Sequence, residues 1–189
     1  MSDLFVDNIK HQSSQGSGTI TLGTSGEKIT TASGAEFSAV TGHNYPAFEA
    51  NLSANQSIAD NTTVKVQFDT EVFDTDNCYD NSTNYRFTPT VAGKYFVYSR
   101  LQLDAQASSN FDQGFARIYK NGSLYTQTQM NMGNNQPENI MLNVHAVIDM
   151  NGSSDYVEIF GHLNDTSGTP LVRGTTFVWS IFGAYRIGA

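Results

Sequence analysis

An alternation of apolar and polar residues, repeated in segment after segment, constrains the fold of this chain more than any other feature. Within residues 138–150, every second residue from Ile140 to Met150 is apolar. A period of two places these side chains on one face of a β-strand. No segment shows an apolar period of 3.6 residues over three turns. The sequence therefore predicts an all-β domain.

The alternation predicts about eight to ten strands separated by turns. Asn121-Gly122 and Asn151-Gly152 each lie between two alternating segments, and Asn-Gly is a strong hairpin signal. We therefore expect a hairpin at each pair. Many short strands joined by turns are typical of a sandwich or jelly roll. The other strands are predicted at residues 47–52, 63–68, 85–88, 93–103, 115–119, 124–129, 155–163 and 175–187.

Some predicted strands are apolar on both faces. Residues 93–103 direct Phe96 and Tyr98 to one face and Tyr95 to the other, and residues 175–187 show a similar pattern. A sandwich needs only one apolar face per strand, so a second apolar face requires another partner. A symmetric homo-oligomer is the usual solution. The expected subunit-interface residues are Phe96, Tyr98, Phe160 and Val178.

Charge and cysteine content exclude several classes of protein. The 18 acidic and 10 basic residues give a formal net charge of −8, without a cluster of Lys or Arg. Nucleic-acid binding needs a basic patch, so it is not expected. The single cysteine, Cys78, has no partner for a disulfide or a zinc site and is expected to be buried. The absence of a signal peptide and of a long apolar run predicts cytoplasmic synthesis without membrane insertion.

The first 44 residues differ from the remainder. Gly26 precedes Ile29 by three residues and Gly34 precedes Phe37 by three, which gives a spacing of eight. A unit with one apolar residue needs stacked neighbours or other chains to bury it. We therefore expect a short oligomeric stalk in residues 1–44 and a head in residues 45–189. A flexible Gly/Ser linker is the alternative.

Residues 68–99 resemble the signature of the complement C1q globular head. Phe87 follows Tyr79 at one residue more than the family spacing, and Val97 and Ser99 replace aromatic positions. Phe182-Gly183-Ala184-Tyr185 resembles the closing strand of the family, and Pro46–Ala50 resembles the opening strand. The matching positions of the signature are Phe68, Asp74, Tyr79, Phe87, Gly93 and Tyr95.

The C1q resemblance implies a ten-strand jelly-roll sandwich of the C1q/tumour-necrosis-factor type that assembles as a homotrimer. It places the closing strand near the threefold axis. The expected structural-core residues are Phe68, Phe87, Gly93, Tyr95, Val97, Phe182 and Tyr185.

Residues 6–30 are similar to N-terminal segments of fibre and appendage proteins from marine tailed bacteriophages. This similarity implies a virion protein whose N-terminal segment docks on another virion protein. The leading hypothesis is a trimeric fibre, spike or knob whose head contacts a glycan or protein of the host surface. The alternatives are a capsid decoration protein with a mainly stabilising role and a glycan depolymerase.

No catalytic motif supports an enzyme, and no cofactor is expected. His162 shares a predicted strand face with Glu158, which is typical of an ordinary surface pair. An acidic run from Asp69 to Asp80 could bind calcium through oxygen ligands, although it lacks the EF-hand spacing. The loops 131–139 and 164–173 are rich in amides and are candidate ligand contacts.

Overall fold

The computed structural model describes residues 45–106, 110–166, 168–174 and 178–188, which form a sandwich of two antiparallel sheets. These residues contain thirteen strands and no helix, so the all-β prediction is confirmed. Residues 1–44, and with them the predicted stalk, lie outside the described residues. The strands are β1 (Ala47–Asn51), β2 (Gln56–Ser57), β3 (Thr62–Lys65), β4 (Thr70–Asp74), β5 (Tyr79–Asp80), β6 (Arg86–Phe87), β7 (Gly93–Asp104), β8 (Phe111–Lys120), β9 (Ser123–Asn131), β10 (Asn139–Met150), β11 (Val157–Asp165), β12 (Leu171–Val172) and β13 (Ile181–Gly188).

The first sheet is built around β7. One edge of β7 pairs with β10 over its whole length, and the other edge pairs with β12 and then β13. Strand β1 lies between β13 and β4, and β2 pairs with β12. Every one of these pairings is antiparallel, as short strands joined by turns allow.

The second sheet is built around β11. Strand β8 pairs with one edge of β11, and β9 pairs with the outer edge of β8. Strands β3 and β6 pair with the other edge of β11, and β5 pairs with β6. The two sheets face each other across a core in which each strand contributes every second side chain.

Aromatic rings fill the centre of that core. Phe48 stacks on Tyr79 and Phe87, with centroids 4.5 and 4.6 Å apart. Phe182 meets Phe48 edge-on at 4.8 Å. Full burial of one such side chain contributes roughly 2–3 kcal/mol, and ring pairs add about 1 kcal/mol. Elements from both sheets are therefore tied together at this cluster.

Most of the residues expected in the core lie between the sheets. Phe68, Phe87, Tyr95, Val97 and Phe182 are fully buried.

Gly93, another of these residues, opens β7. Its φ is +143°, and a Cβ at this position would lie 2.3 Å from the carbonyl oxygen of Gly188. The close approach of the two strands leaves no room for a side chain there.

Tyr185 requires a correction. It lies on the outer face of β13 and is half-buried, whereas Phe182 and Ala184 on the same strand point inward. Side chains alternate along a strand, so Tyr185 cannot share the core face with Ala184.

The two Asn-Gly pairs behave differently. Asn121 and Gly122 have positive φ and join β8 to β9, with Lys120 opposite Ser123, so this hairpin is confirmed. The hairpin predicted at Asn151-Gly152 is wrong, because β10 and β11 belong to different sheets. The segment between them crosses from one sheet to the other.

Strand boundaries also differ from those predicted. The strand predicted at residues 63–68 ends at Lys65. In the strand predicted at residues 175–187, residues 178–180 lie before β13, and 175–177 lie outside the described residues. Part of the acidic run forms the edge strand β4, which was not among the predicted strands.

Candidate self-association and ligand-binding faces

The outer face of the first sheet, directed away from the core, carries large aromatic side chains. Phe96 and Tyr98 lie on β7, and Tyr185 lies beside them on β13. The ring centroid of Phe96 is 6.0 Å from that of Tyr98 and 5.5 Å from that of Tyr185. All three side chains are only half-buried. Three neighbouring rings therefore meet solvent together.

Strand alternation and register explain this arrangement. Tyr95 and Val97 point into the core. Phe96 and Tyr98 are the residues that follow them, so their side chains point outward. The register of β10 places His145 opposite Tyr98 and Val147 opposite Phe96. Directly opposed residues on one sheet face are close enough to pack together.

The apolar surface continues to the far edge of the sheet. Phe73 on β4 lies opposite Glu49 of β1 and is 45% exposed, while Val147 is 49% exposed. Contiguous exposed apolar surface usually marks an interaction site. We call this set the aromatic stripe; its members are Phe73, Phe96, Tyr98, His145, Val147 and Tyr185.

Tyr98 is held in place at the centre of the stripe. Its hydroxyl donates a 2.7 Å hydrogen bond to Glu49 Oε2. A Cβ at Gly183 would lie 2.4 Å from the Tyr98 ring, so the ring rests against bare backbone. Burial and, next, the Glu49 carboxylate raise the pKa of Tyr98. The ring therefore presents a neutral, fixed surface.

A small cavity of about 250 Å³ opens beside Tyr98. Arg100 lies at its wall and donates to the carbonyl oxygens of Val178 at 2.6 Å and Trp179 at 3.1 Å. His145 lines the opposite side. This volume is below that of typical small-molecule sites and suits a single protruding side chain.

A second apolar patch lies at the edge strand β9. Leu124 and Tyr125 are each 49% exposed, and Met130 is also exposed. The Tyr125 hydroxyl donates to the carbonyl oxygen of Val147 at 3.3 Å, which joins the edge strand to β10. The head thus exposes two different apolar surfaces.

The four residues expected at a subunit interface are not all together. Phe96 and Tyr98 lie on the aromatic stripe. Phe160 lies on the outer face of the second sheet, with its ring centroid 4.2 Å from that of Tyr119. Val178 is exposed in the turn before β13. Phe73 and Val147, which sequence reasoning missed, complete the stripe.

The outer face of the second sheet has a different chemistry. It carries cations placed over aromatic rings, an attractive arrangement between a positive charge and a π-face. Arg117 also donates to Gln127 Oε1 at 3.0 Å and to Thr63. The three pairs are Lys65 over Phe160 at 6.0 Å, Arg86 over Tyr156 at 4.4 Å and Arg117 over Phe115 at 4.3 Å.

The cations of this face differ in how they are paired. Glu158 is buried and ion-paired with Lys65. Burial and, next, Arg117 lower the pKa of His162, so this histidine is neutral at pH 7. Arg117 donates to the neutral groups Gln127 and Thr63, whereas Arg86 borders a cavity that two carboxylates also line.

A polar cavity of about 500 Å³ borders Arg86 at one end of this face. Its wall offers amide and hydroxyl groups, among them Asn77, Asn81 and Ser82, together with the carboxylates of Glu71 and Asp80. Such a wall matches a polyhydroxylated ligand better than an apolar one.

The acidic run does not form a calcium loop. Asp69 accepts hydrogen bonds from Ser53, and Asp74 accepts one from the Tyr79 backbone N–H at 2.8 Å. Glu71 is exposed on β4. Within the described ranges, no group of three or more His, Cys, Asp or Glu side chains is placed to hold a metal ion.

The two amide-rich loops approach each other near Arg173. Its guanidinium pairs with buried Asp104 and lies 3.8 Å from Glu138. A cavity of about 360 Å³ adjoins these side chains. Because the arginine is already engaged by two carboxylates, its main role here is to connect the loops.

No helix in the part of the chain that the structure describes is long and apolar enough to cross a membrane.

Comparisons with known proteins identify the fold. The sequence matches no protein-family model and no curated protein. The globular domain of zebrafish complement 1qA is similar in structure, with 16% identity and a TM-score of 0.51, over 75% of this chain and 96% of that one. Eiger TNF from S. frugiperda gives 11% identity and a TM-score of 0.52, over 77% and 95% of the two chains. Murine APRIL gives 9% identity and a TM-score of 0.53, over 75% and 98%. The described residues therefore have a C1q/TNF-like jelly-roll fold.

Proposed function

We propose that this chain is a non-enzymatic, trimeric binding protein on the surface of a tailed bacteriophage, and that its head contacts the host. The observation that carries the trimer is the aromatic stripe. A monomer would leave Phe73, Val147 and three further rings in contact with water. Burying several such groups contributes several kcal/mol before the cost of association is subtracted.

Two different patches on one protomer favour a closed ring. When the stripe of one subunit packs against the β9 edge patch of the next, the contact is heterologous, and a threefold rotation closes it. The C1q-like signature supports three subunits rather than another number. A stripe-to-stripe contact would instead give a twofold dimer.

Mass measurement of the full chain in dilute buffer tests the assembly. We expect three times the chain mass of 20.7 kDa. Tyr98→Asp places a charge in the stripe and should lower the trimer fraction at least tenfold at a fixed micromolar concentration, because burying an unpaired charge is costly. Ser153→Asp adds the same charge in the exposed loop between β10 and β11, which belongs to neither the stripe nor β9, and should leave the trimer intact.

A monomer or dimer of the unaltered chain would contradict the ring. An unchanged trimer in Tyr98→Asp would remove the stripe from the interface. Circular dichroism of both variants separates loss of assembly from loss of fold.

For the ligand, we propose an anionic host-surface glycan bound at the outer face of the second sheet. The cation–aromatic pairs support this choice, because sugar rings stack on aromatic faces while arginines bind carboxylate or sulfate groups. If the aromatic stripe is buried between subunits, this second face remains outward. Several heads on one particle would supply avidity to a weak single site.

Binding of the purified trimer to immobilised anionic and neutral host polysaccharides tests this ligand. We expect binding to the anionic polymer that weakens as salt rises. Arg117→Ala should reduce binding about tenfold or more, whereas Lys94→Ala on the first sheet should not. Equal binding to both polymers would contradict the charge argument. Release of free sugars would favour a depolymerase.

Imaging of intact particles tests the location. Heads at the tail would support host attachment, and heads on the capsid facets would favour decoration. The N-terminal segment is proposed to dock on a neighbouring virion protein in either case.

A further inference from the structure

The carboxylate of Asp165 is buried at the end of β11. Its side chain lies on the inward-facing side of the strand, where the other residues are apolar. Val157, Ile159 and Leu163 point into the core, and Asp165 follows on the same side with only 8% of its surface exposed. The pairing of β11 with β8 shifts register between Asn164 and Asp165. Buried acids normally have a cation or several hydrogen-bond donors around them.

One oxygen of the Asp165 carboxylate lacks such a partner. Among the described residues, none forms a hydrogen bond with its buried Oδ2 atom. Its own backbone N–H donates to Asp60 Oδ1 at 2.9 Å, which brings a second carboxylate to the same place. No lysine or arginine in the described ranges is ion-paired with Asp60 or Asp165, and the nearby Arg173 is engaged by Asp104 and Glu138.

A third oxygen faces the same point. A Cβ built on Gly168 would lie 2.5 Å from Asp165 Oδ2 and 2.6 Å from the carbonyl oxygen of Ala105, so these two oxygens are within about 5 Å of each other. All three groups are acceptors, and Asp165 lies close to both of the others. Acceptors that face one another repel unless a proton, a water or a cation lies between them. Burial and, next, the charge of Asp60 raise the pKa of Asp165, which is the response of a carboxylate in need of a positive partner.

We propose that Asp60, Asp165 and the carbonyl oxygen of Ala105 bind one calcium ion. The donors are all oxygens, and the two carboxylates balance the charge of a divalent cation. Asp60 is exposed, so water can complete the coordination from the solvent side. Calcium accepts an irregular, partly hydrated oxygen set, whereas magnesium demands a near-ideal octahedron. With only two carboxylates, the site belongs to the weak class with a Kd of roughly 0.1–1 mM.

Thermal unfolding of the full chain tests the site. Protein stripped with EDTA is compared with protein in calcium, in magnesium and in sodium chloride of the same ionic strength. At about ten times the Kd, calcium should raise the Tm by roughly 3–6 °C, and magnesium should raise it by less than half of that. Titration calorimetry should give one calcium per chain.

Three variants decide between a cation and a proton at this place. Asp165→Asn should abolish the calcium-dependent rise in Tm, whereas Asp149→Asn, an exposed acid on β10, should keep it. Asp60→Asn alters an exposed side chain, so it tests the same site if Asp165→Asn fails to fold.

Two results would overturn the proposal. In the first, calcium changes neither the Tm nor the calorimetric signal of the unaltered chain, and Asp165→Asn is more stable than the unaltered chain at every calcium level. This result would show that the Asp165 carboxyl holds a proton. The second is a calcium response that survives both Asp165→Asn and Asp60→Asn. Neither depends on the oligomeric state.

Discussion

At the scale of single residues, the carboxylate of Asp80 organises the turn after β5. Its two oxygens accept hydrogen bonds from the backbone N–H groups of Ser82, Thr83 and Asn84 and from the Asn84 side chain, at 2.7–3.1 Å. The Thr83 N–H is the largest cause that holds the pKa of Asp80 well below its ordinary value. The ionised form is therefore the one that fits the fold.

This geometry predicts that mutation of Asp80 lowers the free energy of unfolding by an amount that depends on pH. Because the folded pKa is depressed, the carboxylate contributes stability above its unfolded pKa of about 3.9, and this contribution is lost as pH falls towards the folded pKa. Asp80→Ala should lower the free energy of unfolding by about 1–2 kcal/mol at pH 7, and by less at pH 3. Urea unfolding at the two pH values measures the difference.

Asp149→Ala, whose side chain is 79% exposed, is the control and should change the free energy of unfolding by less than about 0.5 kcal/mol. An Asp80→Ala effect of equal size at both pH values would contradict the role of the charge.

Some of these single-residue features could be predicted from the sequence and others could not. Phe68 and Phe87 could be predicted as core residues from the resemblance to a signature, although Phe87 lies one residue beyond the family spacing, and both are fully buried. Asp165 could not be recognised, because an acid after an alternating strand is ordinarily solvated. Its burial depends on which distant loops cover the strand end.

At the scale of elements, the crossing between β10 and β11 shows how a turn signal can mislead. The side-chain oxygen of Asn151 accepts from the backbone N–H groups of Ser153, Ser154 and Asp155 at 2.9–3.0 Å. This winds the segment into a compact loop instead of a two-residue turn. A Cβ at Gly152 would lie 2.3 Å from the backbone N of Ala92, so the loop also packs closely on the start of β7.

Removing the Asn151 side chain should therefore loosen the connection between the sheets. Asn151→Ala leaves three backbone donors without their acceptor, and we expect the free energy of unfolding to fall by about 1–2 kcal/mol. Ser153→Ala removes only a 3.3 Å contact of its hydroxyl and should change the value by less than about 0.5 kcal/mol. Chemical denaturation measures both. Similar losses in the two variants would show that the cap does not organise the loop.

A strand could be predicted from the sequence where its buried side chains are apolar at every second position. Strands β7, β10 and β11 were predictable for that reason. Strand β4 was not, because an edge strand without a buried face carries no alternating signal, and its five residues are largely exposed. The two-residue strands β2 and β12 are formed by their neighbours rather than by their own sequence.

At the scale of the whole molecule, the two outer faces differ in chemistry. The first sheet presents neighbouring rings that pack on one another, and the second presents rings under cations. The doubly apolar pattern of β7 indicated that Phe96 and Tyr98 need a partner. It could not show that Phe73 belongs beside them, because that depends on the register of β4 against β1. Nor could it show that Phe160 lies on a different face from Phe96 and Tyr98, because Phe160 belongs to the other sheet.

The position of β1 has a mechanical consequence. Strand β1 pairs with β13 along one edge and with β4 along the other. Hydrogen bonds between antiparallel strands run perpendicular to the strands, so a pull on the amino end of β1 loads both ladders in shear. Bonds loaded in shear must yield together, whereas a strand peeled from one side loses them singly. Tension that enters the head at residue 47 is therefore shared by three adjacent strands.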